Sequence, residues 1–458
     1  MVDRFADFFR RLLPSPFSIA LLLTLLTAAL SLFIGDYSGS VAERFSKLAA
    51  DWYDGIFKSS LLVFAFQMML MLVLGHMLAL APVVNSALRR LSSAIAGSAT
   101  SAAVGVGAVT MAIGFFNWGF GLIAGAILAR MVGEAAAEKD VEMNYPLLGA
   151  AGYTGLLVWH GGVSGSSLIK AAEQGHLQEL SGLNGKTYGN VPSSLGLADT
   201  VFSSSNMVVS LLIFIAVLFT LYIASKWRPK EGDAFRKSAV DKEVVFKADG
   251  ADRLDDSSMF GRVVGLVILL VLVLQVPRMS FLSLTWVTPN FINAFLFSLV
   301  LIFHPSVRKV ISNGEEAIGG ASGILLQFPL YFGIMGIMTG SGLLLLFSNQ
   351  LVSVSTPDTF PFLTFLSAAI VNVFIPSGGG QWAVQGPIVI QGALDHGLPL
   401  SKCILAFAYG DEVTNMLQPF WALPLLGITR LSAKAIFPYT LLLFMTGMIV
   451  YGLSVLFF

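Results

Sequence analysis

Two segments of the sequence decide the architecture of this chain. Residues 372–382 read NVFIPSGGGQW and residues 409–421 read YGDEVTNMLQPFW, and both lie within otherwise apolar surroundings. A proline followed by three glycines cannot continue a helix in hydrocarbon, where every freed backbone N–H and C=O needs a new partner. Carboxylates at membrane depth are costly and mark functional sites. The two segments therefore predict broken membrane helices that together form a binding site.

The composition is that of an integral membrane protein. Of the 458 residues, 55% are hydrophobic and only 12% are charged, whereas soluble proteins carry about 25% charged residues. The net charge of zero argues against a nucleic-acid partner, and the single Cys403 excludes an internal disulfide. Residues 4–13 are predicted to form an amphipathic surface helix before an uncleaved first span.

Hydropathy and glycine content predict an all-α polytopic membrane protein with nine spans and two re-entrant hairpins. The hairpins are predicted at 94–129, with the tip at Asn117, and at 360–392. The third and eighth spans are predicted to be broken, the third at 159–166. The predicted spans are 17–35, 59–81, 145–168, 201–224, 260–277, 285–304, 317–347, 402–427 and 435–457.

The distribution of basic residues predicts the orientation. With the N-terminus in the cytoplasm and both hairpins re-entrant, all but seven of the 27 Lys and Arg lie on the cytoplasmic side, as the positive-inside rule requires. The charged linker 226–258 is then cytoplasmic and the C-terminus is external. A hairpin followed by a broken helix occurs twice, with opposite directions of approach. Such inverted repeats are typical of secondary transporters.

The motifs at residues 4–17, 117–119, 158–162, 378–387 and 414–421 resemble those of a known family. This is the bacterial short-chain fatty acid transporter family, within the wider ion transporter superfamily. The resemblance implies import of butyrate- or acetoacetate-like monocarboxylates across the inner membrane by an elevator-type homodimer. It implies scaffold helices in 1–91 and 259–349, transport-domain segments in 92–225 and 350–458, and the linker between them.

Asp411 is the first candidate for cation binding. Adjacent helical residues point about 100° apart, so Asp411 and Glu412 are not expected to face one cavity, and Asp411 follows the small Gly410. Amide, hydroxyl and freed carbonyl oxygens form a hard shell that favours Na⁺ over a proton, with Na⁺ expected at Asp411 and Asn415. An Asp411/His160 pair would instead serve a proton, and the amides would otherwise simply cap half-helices. The predicted cation-binding residues are Asn117, Asn372, Asp411, Thr414 and Asn415.

The substrate carboxylate is expected at half-helix N-termini, because neither break contains Lys or Arg. Asn117 and Asn372 are predicted to occupy corresponding hairpin positions. Tryptophans are expected to surround the acyl chain, although they are also common in interfacial belts, and His160 is alternatively a packing residue. The predicted substrate-binding residues are Asn117, Trp159, His160, Ser164, Ser166, Ser377, Gly378, Gly379, Gln381, Trp382 and Trp421.

Two other functions stay open at this point. The sequence GVSG at 162–165 resembles rhomboid intramembrane proteases, which would need His304 or His76 as the base. A passive carboxylate channel would need neither Asp411 nor a cation shell. No cofactor is expected other than a coupling Na⁺.

Overall fold

A computed structural model describes residues 15–182, 191–227, 252–275, 288–343, 345–346, 350 and 353–457. The predicted surface helix at 4–13, most of the linker 226–258 and the C-terminal Phe458 lie outside the described residues. The described chain is helical, as expected where backbone polar groups have no water to bond.

The first four helices combine membrane spans with amphipathic segments. Helices α1 and α3 coincide with the first two predicted spans, and Ser40 and Glu43 form a capping box at the start of α2. Neither α2 nor α4 is among the predicted spans, because each helix has a polar face and an apolar face. The four helices are α1 (Pro16–Ile34), α2 (Val41–Ile56), α3 (Ser59–Leu80) and α4 (Pro82–Ile95).

The first hairpin consists of α5 (Ala99–Phe116) and α6 (Trp118–Glu138), which meet at Asn117. Gly121 packs directly on Gly114, so the two helices run antiparallel, and α6 extends past the predicted end of the hairpin. Both arms are long and apolar enough to cross a membrane. The depth of the hairpin stays a prediction, but two antiparallel helices return the chain to the same side at any depth.

The third predicted span is broken where the sequence indicated. Helix α7 (Tyr145–Ala151) passes into a 3₁₀ turn at Thr154–Leu157, residues 158–165 are irregular, and α8 (Ser166–Ala172) follows. Helix α9 (His176–Gly182) then precedes the long span α10 (Ser204–Ala224).

The middle of the chain contains the fifth, sixth and seventh predicted spans. The seventh, α15, ends at Gly340 rather than at residue 347, and the amphipathic α14 precedes it. The helices are α11 (Asp252–Asp255), α12 (Ser258–Gln275), α13 (Pro289–Phe303), α14 (Val307–Ile318) and α15 (Ser322–Gly340).

The C-terminal part repeats the pattern of hairpin, broken helix and long span. A 3₁₀ turn at Asn415–Leu417 interrupts the eighth predicted span, and α10 and α20 pack together through Thr220 and Thr446 (Oγ1–Oγ1 2.8 Å). The helices are α16 (Phe360–Phe374), α17 (Gly378–Asp395), α18 (Leu400–Thr414), α19 (Pro419–Thr429) and α20 (Ala433–Phe457). In the described residues, eight helical segments are long and apolar enough to span a membrane.

Candidate functional site

The tip of the second hairpin meets the break in the third predicted span. A Cβ atom at Gly378 would lie 2.8 Å from the Trp159 ring and 2.9 Å from the His160 ring, so only glycine fits there. The neighbouring Gly379 faces Ser166 at the start of α8. Five of the predicted substrate residues therefore meet at this tip: Trp159, His160, Ser166, Gly378 and Gly379.

His160 connects this tip to Asp411 of the eighth span. Its Nδ1 lies 2.8 Å from Asp411 Oδ1, and both side chains are buried. Its Nε2 accepts from the backbone N–H of Ser167 at 3.1 Å. Because a peptide N–H can only donate, Nε2 carries no proton, and the ring donates from Nδ1 to Asp411. This arrangement uses His160 as a donor to Asp411 Oδ1 and as an acceptor at Nε2.

Glu412 accepts hydrogen bonds from backbone N–H groups in the break of the third predicted span. Its Oε2 accepts from the N–H of His160 at 2.7 Å and from the N–H of Gly161 at 3.3 Å. The two adjacent carboxylates thus point to different atoms of the same break, one to the ring and one to the backbone. Within the described part of the chain, neither carboxylate forms an ion pair with Lys or Arg.

Asn372 organises the polar groups around the second break. Its Nδ2 donates to the Asp411 carbonyl (2.6 Å), to Thr414 Oγ1 (3.0 Å) and to Asn415 Oδ1 (3.0 Å). Gln418 Nε2 donates in turn to the Asn372 carbonyl at 2.6 Å. This network fixes the unwound segment against α16.

Three buried oxygens of this network have no hydrogen-bond partner among the described residues: Asp411 Oδ2, Asn372 Oδ1 and Gln418 Oε1. An unsatisfied buried polar group costs about 1–3 kcal/mol, and a bound cation would remove that cost. Carboxylate and amide oxygens suit a hard cation such as Na⁺. The residues present therefore fit the predicted ion.

Not every predicted cation residue has a free oxygen in this network. The Thr414 hydroxyl and the Asn415 amide oxygen accept from Asn372, so both are engaged within the protein. Asn117 caps α6 by accepting from the Phe120 N–H at 2.9 Å and makes no hydrogen bond to the 411–415 segment.

The expected correspondence between Asn117 and Asn372 is wrong. The residue that caps the second helix of the second hairpin is Ser377, whose Oγ accepts from the Gly380 N–H at 3.2 Å. Asn372 lies instead in the last turn of α16. The error arose because the two asparagines precede the breaks at similar spacings, although only Asn117 lies at a tip.

Three tryptophans form a cluster beside the contact between the second hairpin tip and the break in the third predicted span. Trp118 lies 5.9 Å from Trp159 and 5.1 Å from Trp421 between ring centroids, and Phe64 of α3 packs on Trp118 and Trp421. The buried Trp159 Nε1 has no hydrogen-bond partner among the described residues. Trp118 was not among the predicted residues, although it directly follows Asn117 in the sequence motif.

Trp382 and Gln381 do not belong to this cluster. Trp382 packs on Phe407, with ring centroids 5.2 Å apart, and its Nε1 donates to His176 Nε2 at 3.2 Å. Burial and the nearby Lys170 lower the pKa of His176, which keeps this ring nitrogen able to accept. Gln381 donates to the Ala368 carbonyl and so joins α17 to α16. Both side chains stabilise the second hairpin behind its tip.

Sequence comparison identifies the protein class. The family model described as short chain fatty acid transporter matches residues 1–458. The chain belongs to this family. It is also 34% identical over 472 residues to a protein of Escherichia coli (strain K12) that is provisionally described as a short-chain fatty acid transporter, covering 99% of each chain. A relative from Haemophilus influenzae with the same description is 33% identical over 469 residues, covering 99% of this chain and 98% of the relative.

A solved structure provides a more distant comparison. The crystal structure of the Alcanivorax borkumensis YdaH transporter, reported to have an unusual topology, aligns with a TM-score of 0.42 and 15% identity. The alignment covers 96% of this chain and 98% of that one.

This family membership makes the chain a multi-span membrane transporter and not an enzyme. The structure also gives no catalytic serine at the GVSG motif of residues 162–165. Ser164 Oγ accepts from the Trp118 N–H at 3.0 Å and makes no hydrogen bond to a histidine among the described residues. His304 is bonded to Asn313, and His76 faces Arg130. Neither histidine serves as a base for Ser164.

The residues Ser167, His160 and Asp411 do follow the order of a catalytic triad, with Ser167 Oγ 3.0 Å from His160 Nε2. However, Nε2 already accepts from the Ser167 N–H, and the Ser167 side chain has no exposed surface. The serine therefore positions the imidazole and is closed to a substrate.

Proposed function

We propose that this protein is a secondary active transporter that imports short-chain monocarboxylates, such as butyrate or acetoacetate, together with a cation. Na⁺ is favoured over the proton as the coupling ion. Membership of the short chain fatty acid transporter family supports the substrate class. The cation is argued from the site.

A single observation carries the coupling: two adjacent buried carboxylates, Asp411 and Glu412, have no Lys or Arg ion-pair partner within the described chain. Burying a charge without compensation is strongly unfavourable, and ionisable groups at membrane depth mark ion pathways. A bound cation beside Asp411 Oδ2 and Asn372 Oδ1 would supply the missing positive charge.

The geometry of His160 favours Na⁺. A histidine that carries the coupling proton needs to accept it at a ring nitrogen. Nε2 faces the N–H of Ser167, so protonating this nitrogen would break that hydrogen bond and place two donors against each other. A metal cation on Asp411 requires no such rearrangement.

The substrate carboxylate is proposed to bind at the N-terminus of α17. The N–H groups of Gly378 and Gly379 make no hydrogen bond with a described residue, and helix N-termini favour anions. The hydroxyls of Ser377 and Ser166 and the unpartnered Trp159 N–H supply further donors. The acyl chain would then contact Trp159 and Trp421.

The transport cycle is proposed to follow an elevator mechanism in a homodimer of the bacterial inner membrane. Residues 1–91 and 259–349 would form the scaffold, and 92–225 and 350–458 the moving domain, connected by the cytoplasmic linker 226–258. The duplicated hairpin, broken helix and span support this division, because inverted repeats around a midplane site are typical of such transporters. The N-terminus would be cytoplasmic and the C-terminus periplasmic.

Uptake by the purified protein in proteoliposomes tests the proposal. Radiolabelled butyrate and acetoacetate are supplied with a sodium gradient or a proton gradient imposed separately. We expect concentrative uptake that follows the sodium gradient. Uptake driven only by the proton gradient would overturn the choice of ion, and flux that merely equilibrates the substrate would identify a passive channel.

A further inference from the structure

A second site lies apart from the proposed transport site. A cavity of about 780 Å³ lies between α4 and the C-terminal end of α6. Its volume is within the ~300–1,000 Å³ range of small-molecule sites. The polar side chains that line it are Asn85, Ser86, Arg89, Arg90, Ser93 and Lys139, together with Glu134 and Glu138.

The charges around this cavity do not cancel. Glu138 is paired with Arg89 (3.1 Å), and Glu134 is paired with Arg130 (3.1 Å). Both acids are therefore neutralised by neighbouring arginines. Among the described residues, Lys139 and Arg90 are left as two positive charges without an acidic partner.

The two remaining cations differ in how they are held. Lys139 Nζ donates to the Ser93 carbonyl at 2.6 Å, which fixes it at the cavity wall while leaving its charge unpaired. Arg90 is exposed and makes no hydrogen bond or ion pair with any described residue. The guanidinium is thus available for a bidentate contact with phosphate oxygens.

The position of the cavity along the chain places it near the membrane surface. Helix α4 begins directly after α3, whose 22 residues suffice to cross the hydrocarbon layer. We therefore expect the cavity to lie at the level of the lipid headgroups.

We propose that this cavity binds the phosphodiester headgroup of an anionic phospholipid, with the phosphate at Arg90 and Lys139. The position of the cavity at the end of a helix long and apolar enough to cross a membrane favours a lipid over a free anion. The site rests only on the contacts and charges of α4 and α6. It does not depend on the proposed transport mechanism.

This site is tested by titrating dansyl-labelled phosphatidylglycerol into the detergent-solubilised full-length protein. Binding is measured as energy transfer from the protein tryptophans to the dansyl group. Each basic residue near a membrane surface contributes about a fivefold change in anionic lipid binding. We expect Arg90→Gln to weaken phosphatidylglycerol binding about fivefold, and addition of Lys139→Gln to weaken it further. Arg90 makes no hydrogen bond or ion pair with a described residue, so its replacement should leave the elution profile and helicity unchanged.

Three control arms make the test specific. Arg262→Gln replaces an exposed arginine of α12 that has no ion pair with a described residue, and it should leave binding unchanged. An equal loss there would show general surface attraction and overturn the site. Dansyl-labelled phosphatidylcholine should bind both proteins equally and more weakly. Displacement of the labelled lipid by excess inorganic phosphate would overturn the lipid as occupant in favour of a free anion.

Discussion

The two hairpin tips have the same architecture but different hydrogen-bond environments. At the first tip, the N–H of Trp118 donates to Ser164 Oγ, and Gly119 is buried against Met71. At the second tip, the N–H groups of Gly378 and Gly379 have no partner among the described residues, and Gly379 is exposed.

This difference indicates a division of roles within the repeat. The first tip uses its helix N-terminus to hold the break in the third span in place. The second tip leaves the N–H groups at its helix N-terminus without a partner among the described residues, beside His160 and Asp411. A helix N-terminus with free N–H groups favours an anion, so the proposed substrate site belongs to the second tip.

The largest effect is expected at Asp411, which links the second tip to the proposed cation site. Asp411→Asn is nearly isosteric and removes a buried charge, so the protein should stay folded and inserted. We expect coupled uptake to be lost, with substrate and cation affinity falling together by ~5- to 150-fold, because coupling between two ligands is reciprocal. Proteoliposome uptake and binding measurements check this.

The matched control is Asp256→Asn, which removes only an exposed ion pair with Arg308 and should leave transport unchanged. Normal uptake by the Asp411→Asn protein with unchanged cation dependence would show that Asp411 is a structural anchor.

A pair of glycine substitutions compares the tips directly. At Gly378 an added Cβ would meet the Trp159 and His160 rings, whereas at Gly119 it would meet the flexible end of Met71 at 3.0 Å. Overpacking a close site costs about 1–3 kcal/mol. We expect Gly378→Ala to reduce uptake by roughly 5- to 150-fold and Gly119→Ala to reduce it little. Equal losses would remove the distinction between the tips.

Substitutions of His160 test whether it acts as a fixed donor. Asn places its Nδ2 near the position of the imidazole Nδ1, so His160→Asn keeps a donor for Asp411 and loses the acceptor for Ser167. A neutral hydrogen bond contributes about 0.5–1.5 kcal/mol, so uptake should fall by at most about tenfold and keep its sodium dependence. His160→Gln, which does not place a donor at this position, should lose more.

One result would contradict the role of His160 as a fixed donor. Loss of all coupled uptake in both His160 variants, with proton-driven uptake in the wild-type protein, would identify His160 as a proton carrier.

The smallest effects are expected at the two capping serines. Ser164→Ala removes the acceptor for the Trp118 N–H and should lower stability by about 0.5–2 kcal/mol without changing KM. Ser377→Ala should cost similar stability and also raise KM for butyrate about two- to tenfold, because its hydroxyl is proposed to contact the carboxylate. Thermal unfolding and initial rates separate the two outcomes. A KM change in Ser164→Ala alone would reverse the assignment of the tips.

The sequence predicted the broken helices well because their signals are local. A proline and three glycines at 376–380, and polar groups within 411–418, exclude a continuous helix whatever surrounds them. The amphipathic helices α2, α4 and α14 were not predicted, because hydropathy detects apolar length and these helices carry polar residues on one face.

The site was predictable only in part, because side-chain direction depends on packing. The Asp411/His160 pair, which the sequence left open as the alternative to a Na⁺ site, forms with its side chains 2.8 Å apart. Trp382, only four residues from Gly378, turns instead toward Phe407. Ser167 carries no distinguishing signal in the sequence, although it follows the predicted Ser166. Gln418 belongs to the polar segment 411–418, but that pattern does not tell that its side chain bonds the Asn372 carbonyl.

A crystal structure with bromine-labelled butyrate tests the central claim most directly, because anomalous scattering locates the bromine. The account predicts a carboxylate within hydrogen-bond distance of the Gly378 and Gly379 N–H groups and a bromine beside Trp159 and Trp421. A ligand seated at Asn117 and Gly119, on the first tip, would contradict it.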